Sequence, residues 1–152
     1  MSADRDAVRL SLRLLATARL IEREVDTLMR ERFGATIARF DFLSALDRHG
    51  ALTLSEVSQH LLVSNGNVTQ LSARLRADGL IETTPDAADR RVQRVRLTRR
   101  GGAAFKEMAK AHAACVQAML CSTPQAGKQS LIRQLDRVKN SLRRELSKGA
   151  AP

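Results

Sequence analysis

The chain has 152 residues, of which 43% are hydrophobic and 3% aromatic, with no Trp and no Tyr. This length and composition predict one globular domain with an aliphatic core. The formal net charge is +10, which suits a polyanionic partner. The sequence has no apolar run of about 18 residues and no secretory leader. We therefore expect a cytoplasmic protein that makes no membrane contact.

Two helices are predicted in the first third of the chain. Apolar residues from Leu14 to Leu28 recur at steps of four and three residues, which is typical of an amphipathic helix that packs on other helices. This helix is predicted over residues 6–32 and ends at Gly34. A second helix is predicted over residues 36–48.

A helix-turn-helix is predicted next. Thr53 and Glu56 have the spacing of a capping box, which indicates that a helix begins there and covers residues 55–61. Ser64 is a suitable N-cap for a second helix over residues 65–78. Two helices joined by a turn of about three residues form this motif.

The second helix of this motif has a polar face suited to reading bases. Val68, Leu71 and Leu75 define its buried side. Asn and Gln side chains can form paired hydrogen bonds with adenine, and Arg can do so with guanine. The residues of this helix that we predict to contact DNA are Ser64, Asn65, Asn67, Thr69, Gln70 and Arg74. An ordinary solvated helix face is the alternative, and the basic segment that follows argues against it.

An arginine-rich hairpin follows directly, with strands predicted over residues 80–84 and 92–97. Charge also protects an edge strand from pairing, but four arginines within seven residues exceed that need. We predict that Arg90, at the tip, enters a minor groove. We further predict that Asp89 and Arg91 form an ion pair that shapes this tip.

Two long helices are predicted to complete the chain, the first capped by Thr98 and each with an apolar stripe. Such stripes need a partner surface, and a second copy of the chain is the economical one, giving a two-fold homodimer. The predicted fold is mainly α with a small β-hairpin (α+β). It is a winged helix-turn-helix, residues 36–100, flanked by dimerisation helices over residues 1–34 and 120–148.

No catalytic or metal-binding pattern is recognisable in the sequence. The histidines at positions 49, 60 and 112 are dispersed, and no second His/Cys pair accompanies His112 and Cys115 to complete a metal site. A P-loop and a dinucleotide-binding fingerprint are both absent. We therefore expect no enzymatic activity, no metal and no cofactor.

Two segments, LTLSEVSQHLLVSNGNVTQLSARLRADGLIE and DAADRRVQRVRLTRRG, resemble the MarR family of dimeric winged-helix transcription regulators. The second segment is similar to the family's wing signature, in which an Asp, a basic pair, a strand ending in Leu-Thr and a Gly follow one another. The resemblance covers residues 5–147. VSNGNVT and RFDFLSAL further resemble the branch that represses genes of hydroxycinnamate catabolism and responds to aryl-CoA thioesters.

This resemblance implies a repressor that binds a palindromic operator in double-stranded DNA and is released by a small aromatic effector, an aryl-CoA thioester of the hydroxycinnamoyl type. A free aromatic carboxylate or another lipophilic small molecule is the alternative effector. The family's effector pocket lies where the dimerising helices meet the DNA-reading lobe. The lining residues that this implies here are Arg19, Arg39, Phe40 and His112. Surface arginines and core aromatic rings would explain the same residues equally well.

Overall fold

The computed structural model describes the backbone of residues 2–61 and 65–149 and the side chains of residues 5–61 and 66–147. Six helices and two strands lie within these residues, and their bounds are α1 (Ser2–Phe33), α2 (Ile37–His49), α3 (Leu54–Leu61), α4 (Asn65–Ala77), β1 (Ile81–Pro85), β2 (Gln93–Leu97), α5 (Arg99–Met119) and α6 (Gln125–Gly149). This order confirms the predicted fold class. The chain divides into two compact units, Met1–Val116 and Gln117–Pro152.

The core of the first unit is built around α2. Phe42 and Leu43 of this helix are completely buried, and α1 adds Val25 and Met29, which are also inaccessible to solvent. The predicted apolar stripe of α1 is only partly buried within one chain: only its residues in the last three turns of the helix are covered. Its N-terminal half leaves Leu12 61% exposed, so a large apolar surface there has no cover within this unit.

α4 ends at a glycine, the residue type that most often ends a helix. Gly79 has a φ of +69°, which a residue without a Cβ adopts at little cost. Its N–H bonds the Arg76 carbonyl at 2.9 Å, and the Leu80 N–H bonds the Leu75 carbonyl at 3.0 Å, which closes the last turn of the helix. Leu80 therefore belongs to the end of the helix, and the first strand begins one residue later than predicted.

The two strands pair antiparallel, with Ile81 opposite Leu97 and Pro85 opposite Gln93. β1 thus extends to Pro85, one residue beyond the predicted strand, and β2 begins at Gln93, one residue after the predicted start. A third short segment joins the sheet through Leu52, which exchanges backbone hydrogen bonds with Val95 at 2.7 and 3.0 Å. This bridge ties the hairpin to the residues that lead into α3.

In the second unit, α6 carries an apolar row at the spacing of a helix stripe. Leu131 and Leu142 are 53% and 58% exposed, and Leu135 is 44% exposed. The remainder of the helix is strongly basic. Among residues 2–61 and 65–149, no helix combines the length and hydropathy that crossing a bilayer requires.

Candidate nucleic-acid interface

The inward face of α4 is set by Val68, Ser72 and Leu75, which are at most 6% exposed. Leu71, predicted to be buried, is only half-buried and lies on the wall of a surface cavity. Ser72 takes the inward position one residue later, because a spacing of four and then three residues keeps one side of a helix facing the core. The rest of the helix faces outward.

The polar residues predicted to read DNA lie on this outward side, where Asn67, Thr69, Gln70 and Arg74 are all exposed. At 3.6 residues per turn, Gln70 is the one most nearly opposite the buried face. Asn67 and Arg74 flank it on one side, and Thr69 flanks it on the other. Asn65 begins the helix, but its side chain and the whole of Ser64 lie outside the described residues.

A cavity of about 460 Å³ borders α4 on the side of Asn67 and Arg74. Its other walls come from α1, the start of α2 and the end of α3, and they include Glu22 and Asp41. Burial raises the pKa of the Asp41 carboxyl, with a further contribution from the charge of Glu22, while His112 acts in the opposite direction. These two carboxylates make this side of α4 unfavourable for an anion, except close to Arg74.

The wing, defined as β1, residues 86–92 and β2, has a tip organised by Asp86. One oxygen of this carboxylate accepts the N–H groups of Ala88 and Asp89 at 2.8 and 3.1 Å. The Asp86 N–H in turn bonds the Val92 carbonyl at 2.8 Å. The turn is therefore held by side-chain and backbone bonds together, so its shape is defined before any DNA is present.

The predicted ion pair between Asp89 and Arg91 is confirmed. The Arg91 Nε lies 3.2 Å from the Asp89 carboxylate, which also accepts the Arg91 backbone N–H at 3.0 Å. Both bonds to Arg91 lower the pKa of Asp89. Because both side chains are exposed, the pair contributes more to the shape of the tip than to stability.

The four arginines of the wing divide into three that form ion pairs, Arg91 with Asp89 as above together with Arg94 and Arg96, and one that does not. Arg96 pairs across the sheet with Glu82 at 2.7 Å, and Arg94 bonds Asp86 and Glu56. Arg90, by contrast, is exposed at the tip and makes no ion pair with any residue of the described chain. The sequence suggested four cations of similar role, but three of them, Arg91, Arg94 and Arg96, form ion pairs with carboxylates of the protein. Glu82 and Asp86, which lie in the same hairpin as Arg96 and Arg94, were the available signal in the sequence.

The four residues that the family resemblance implied for an effector pocket do not share one environment in the structure. Phe40 is buried and stacks on Phe105 and His112, with ring centroids 5.6 and 4.8 Å apart. Arg39 forms an ion pair with Asp78 at 2.5 Å, which joins α2 to the residue after α4. Arg19 is exposed on α1. The structure thus brings Phe40 and His112 together and directs the Arg39 guanidinium to Asp78.

Comparison with known proteins places this geometry in a family. Residues 33–92, which include the helix-turn-helix and the wing tip, match the model of the MarR family. The HTH-type transcriptional repressor MdtR of Bacillus subtilis is 35% identical over 107 residues, which cover 70% of this chain and 68% of MdtR. The chain belongs to the MarR family.

Two solved structures share its fold. A mutant of Escherichia coli MarR in complex with operator DNA has a TM-score of 0.76 at 21% identity, and the match covers 88% of this chain and 95% of that one. BpsR of Bordetella bronchiseptica, whose DNA binding is regulated by 6-hydroxynicotinic acid, has a TM-score of 0.75 at 24% identity, covering 85% and 91%.

Membership of the MarR family makes this chain a DNA-binding transcriptional regulator. MarR-family proteins are regulators and not enzymes, so the prediction that this chain is not an enzyme is confirmed.

Proposed function

We propose that this MarR-family protein is a homodimeric repressor that binds a palindromic operator and leaves it when a small aromatic effector binds. One observation carries the DNA-binding part of this proposal: the outward polar face of α4 is followed by a wing whose tip presents the exposed Arg90. The helix suits base edges in a major groove, and an arginine at the tip suits a neighbouring minor groove.

The proposed dimer is supported by apolar surface that each unit leaves uncovered. Val8, Leu12 and Leu15 form one stripe on the N-terminal half of α1, and each is more than half exposed. Water contact with such a stripe is unfavourable by roughly 25 cal/mol per Å², so a second copy of the chain is the expected cover. A two-fold arrangement would then hold two recognition helices about 34–36 Å apart, which is one turn of DNA.

The dimer leads to a first prediction. Leu12→Glu should convert the protein to monomers at micromolar concentration, because a carboxylate in the buried centre of an interface has no partner there. Thr17→Glu, at a position that is also exposed but lies on another side of α1, serves as the control and should remain dimeric. Sedimentation velocity distinguishes the two states. A wild-type monomer under these conditions would contradict the proposal.

The proposed effector is an aryl-CoA thioester of the hydroxycinnamoyl type. Its support is the resemblance of VSNGNVT and RFDFLSAL to the branch that responds to such compounds, together with the aromatic layer of Phe40, Phe105 and His112. An aryl group could stack on the accessible side of His112, which is half-buried. The CoA phosphates need cations, and of the two proposed arginines Arg19 is the one that forms no ion pair within the described chain.

A free aromatic carboxylate is the second candidate effector. The observation that favours it is the regulation of BpsR, a protein of the same fold, by 6-hydroxynicotinic acid. The Glu22 and Asp41 carboxylates beside α4 make that cavity a poor place for either anion, so in both versions we place the effector on the side of α2 that faces α5.

A titration of operator binding tests the effector and gives a second prediction. Fluorescence anisotropy should detect binding to the DNA upstream of the protein's own gene, with a steep fall as salt rises. Saturating p-coumaroyl-CoA should lower this affinity about 5- to 150-fold, the range of a coupling energy of 1–3 kcal/mol. An equal effect of free p-coumarate would favour the second candidate. CoA alone is the control, and an unchanged affinity in all three cases would exclude both effectors.

A further inference from the structure

We propose that Arg94 and Glu56 form a clamp that sets the orientation of the wing relative to the helix-turn-helix, and that they are positioning residues for DNA binding. The inference rests on the proposed function in one respect, since it requires that the wing contacts the operator. The alternative interpretation is that the Arg94 guanidinium binds a phosphate of the DNA backbone directly.

The contacts of Arg94 join three separate segments. Its Nη1 donates to the Glu56 carboxylate at 3.0 Å and to the Ala51 carbonyl at 3.2 Å. Its Nε donates to the Asp86 carboxylate at the wing tip. The guanidinium is planar and holds its donors in fixed directions, so the positions of these acceptors are fixed relative to one another.

Glu56 connects this clamp to the start of α3. Its carboxylate accepts the Thr53 N–H at 2.7 Å, and the Glu56 N–H donates to the Thr53 hydroxyl at 3.2 Å. These reciprocal bonds are the capping box predicted from the sequence. The Thr53 amide and then Arg94 lower the pKa of Glu56. The oxygen that caps α3 is therefore the same one that anchors the wing.

Asp86 connects the other end of the clamp to the tip that carries Arg90. The Arg94 guanidinium first, and then the Ala88 and Asp89 amides, hold the pKa of Asp86 at about 2, so the carboxylate is charged at neutral pH. The backbone bridge between Leu52 and Val95 holds the middle of β2, but it lies away from the tip. The side-chain path from Asp86 through Arg94 to Glu56 is what links the tip to α3.

Two substitutions separate a clamp from a phosphate contact. Arg94→Lys keeps the positive charge but cannot hold both carboxylates in the same geometry. A clamp therefore predicts a loss of operator affinity of roughly tenfold for Arg94→Lys and Arg94→Met alike, whereas a phosphate contact would survive in the Lys variant. Arg96→Lys, at an arginine paired only with Glu82 within the wing, is the matched control and should bind like wild type.

Glu56→Gln gives opposite signs for the two interpretations. Gln is compatible with a capping box, so α3 should remain intact, which a circular dichroism melt can verify. If Arg94 binds phosphate, loss of the neighbouring negative charge should strengthen operator binding. If Arg94 is a clamp, replacing a charged acceptor by a neutral one weakens the anchor, and operator binding should fall by a few-fold.

The closing experiment measures operator affinity and groove-specific footprints for wild type and these variants. Wild-type binding with a minor-groove footprint establishes that the wing contacts DNA, and its absence would overturn the proposed function first. Given that footprint, Arg94→Lys should lose protection in the minor groove while keeping that of the major groove. Wild-type affinity in Arg94→Lys, tighter binding in Glu56→Gln, or equal loss of both footprints with a lowered melting temperature would each overturn the clamp.

Discussion

Gly101→Ala is expected to destabilise the protein by about 3 kcal/mol or more, the upper range for overpacking. A Cβ at this position would lie 1.8 Å from the Leu80 carbonyl oxygen and 2.8 Å from its carbon. That carbonyl cannot move aside easily, because it accepts the Thr98 N–H at 3.0 Å. The first turn of α5 and the chain leaving α4 thus cross at a distance that only glycine allows.

Gly102→Ala is the matched control for this prediction. It lies one residue further along the same helix, and an added Cβ would meet nothing within 4 Å. Removing a flexible residue from a helix should stabilise the protein by roughly 0.5–1 kcal/mol. Urea unfolding of both variants provides the measurement. Equal stability of the two variants would show that the approach to Leu80 does not constrain position 101.

Arg90→Ala is expected to weaken operator binding about tenfold or more while leaving stability unchanged. The side chain is exposed at the wing tip and has no ion-pair partner in the described chain, so its removal breaks no ion pair among the described residues. Loss of one cation from the DNA surface should also make the plot of log affinity against log salt shallower by about one unit. Anisotropy titrations at several salt concentrations measure both effects.

The control for this prediction is Arg96→Ala. Its guanidinium is already paired with Glu82, so a much smaller loss of affinity is expected. If the two variants lose equal affinity, or if Arg90→Ala binds like wild type, the wing does not engage DNA through its tip as proposed. A lowered melting temperature in Arg90→Ala would indicate a structural role in place of DNA contact.

Much of the local structure could be predicted, because the signals for helix ends act between neighbouring residues. The capping box of Thr53 and Glu56 is present as predicted. Thr98 caps α5 through the Gly101 N–H at 2.9 Å, and Gly79 ends α4. The wing turn and its Asp89–Arg91 pair also follow from residues close together in the chain. Such short-range bonds leave a recognisable pattern in the sequence.

Contacts between residues that are distant in the sequence were harder to predict. The burial of Ser72 in place of Leu71 depends on how α4 is rotated against its neighbours. The pairing of Arg39 with Asp78 and of Arg94 with Glu56 joins positions 39 and 38 residues apart. Nothing local in the sequence links Arg39 to Asp78 or Arg94 to Glu56. The sequence therefore indicated correctly that the wing is basic. It could not show which of the wing arginines pair with carboxylates of the protein and which remain available for DNA.

The amino-acid sequence alone determined the order of helices and strands, the polar face of the second helix of the motif and the MarR family. The order of elements and the polar face follow from periodicity, capping and turn residues, which act over a few positions, and the family follows from the resemblance of two segments to the MarR family. Only the tertiary structure decided which arginines are neutralised, why Gly101 lies against Leu80 and how the wing is anchored to α3. These depend on contacts between segments far apart in the chain, whose energies arise only when the fold brings them within bonding distance.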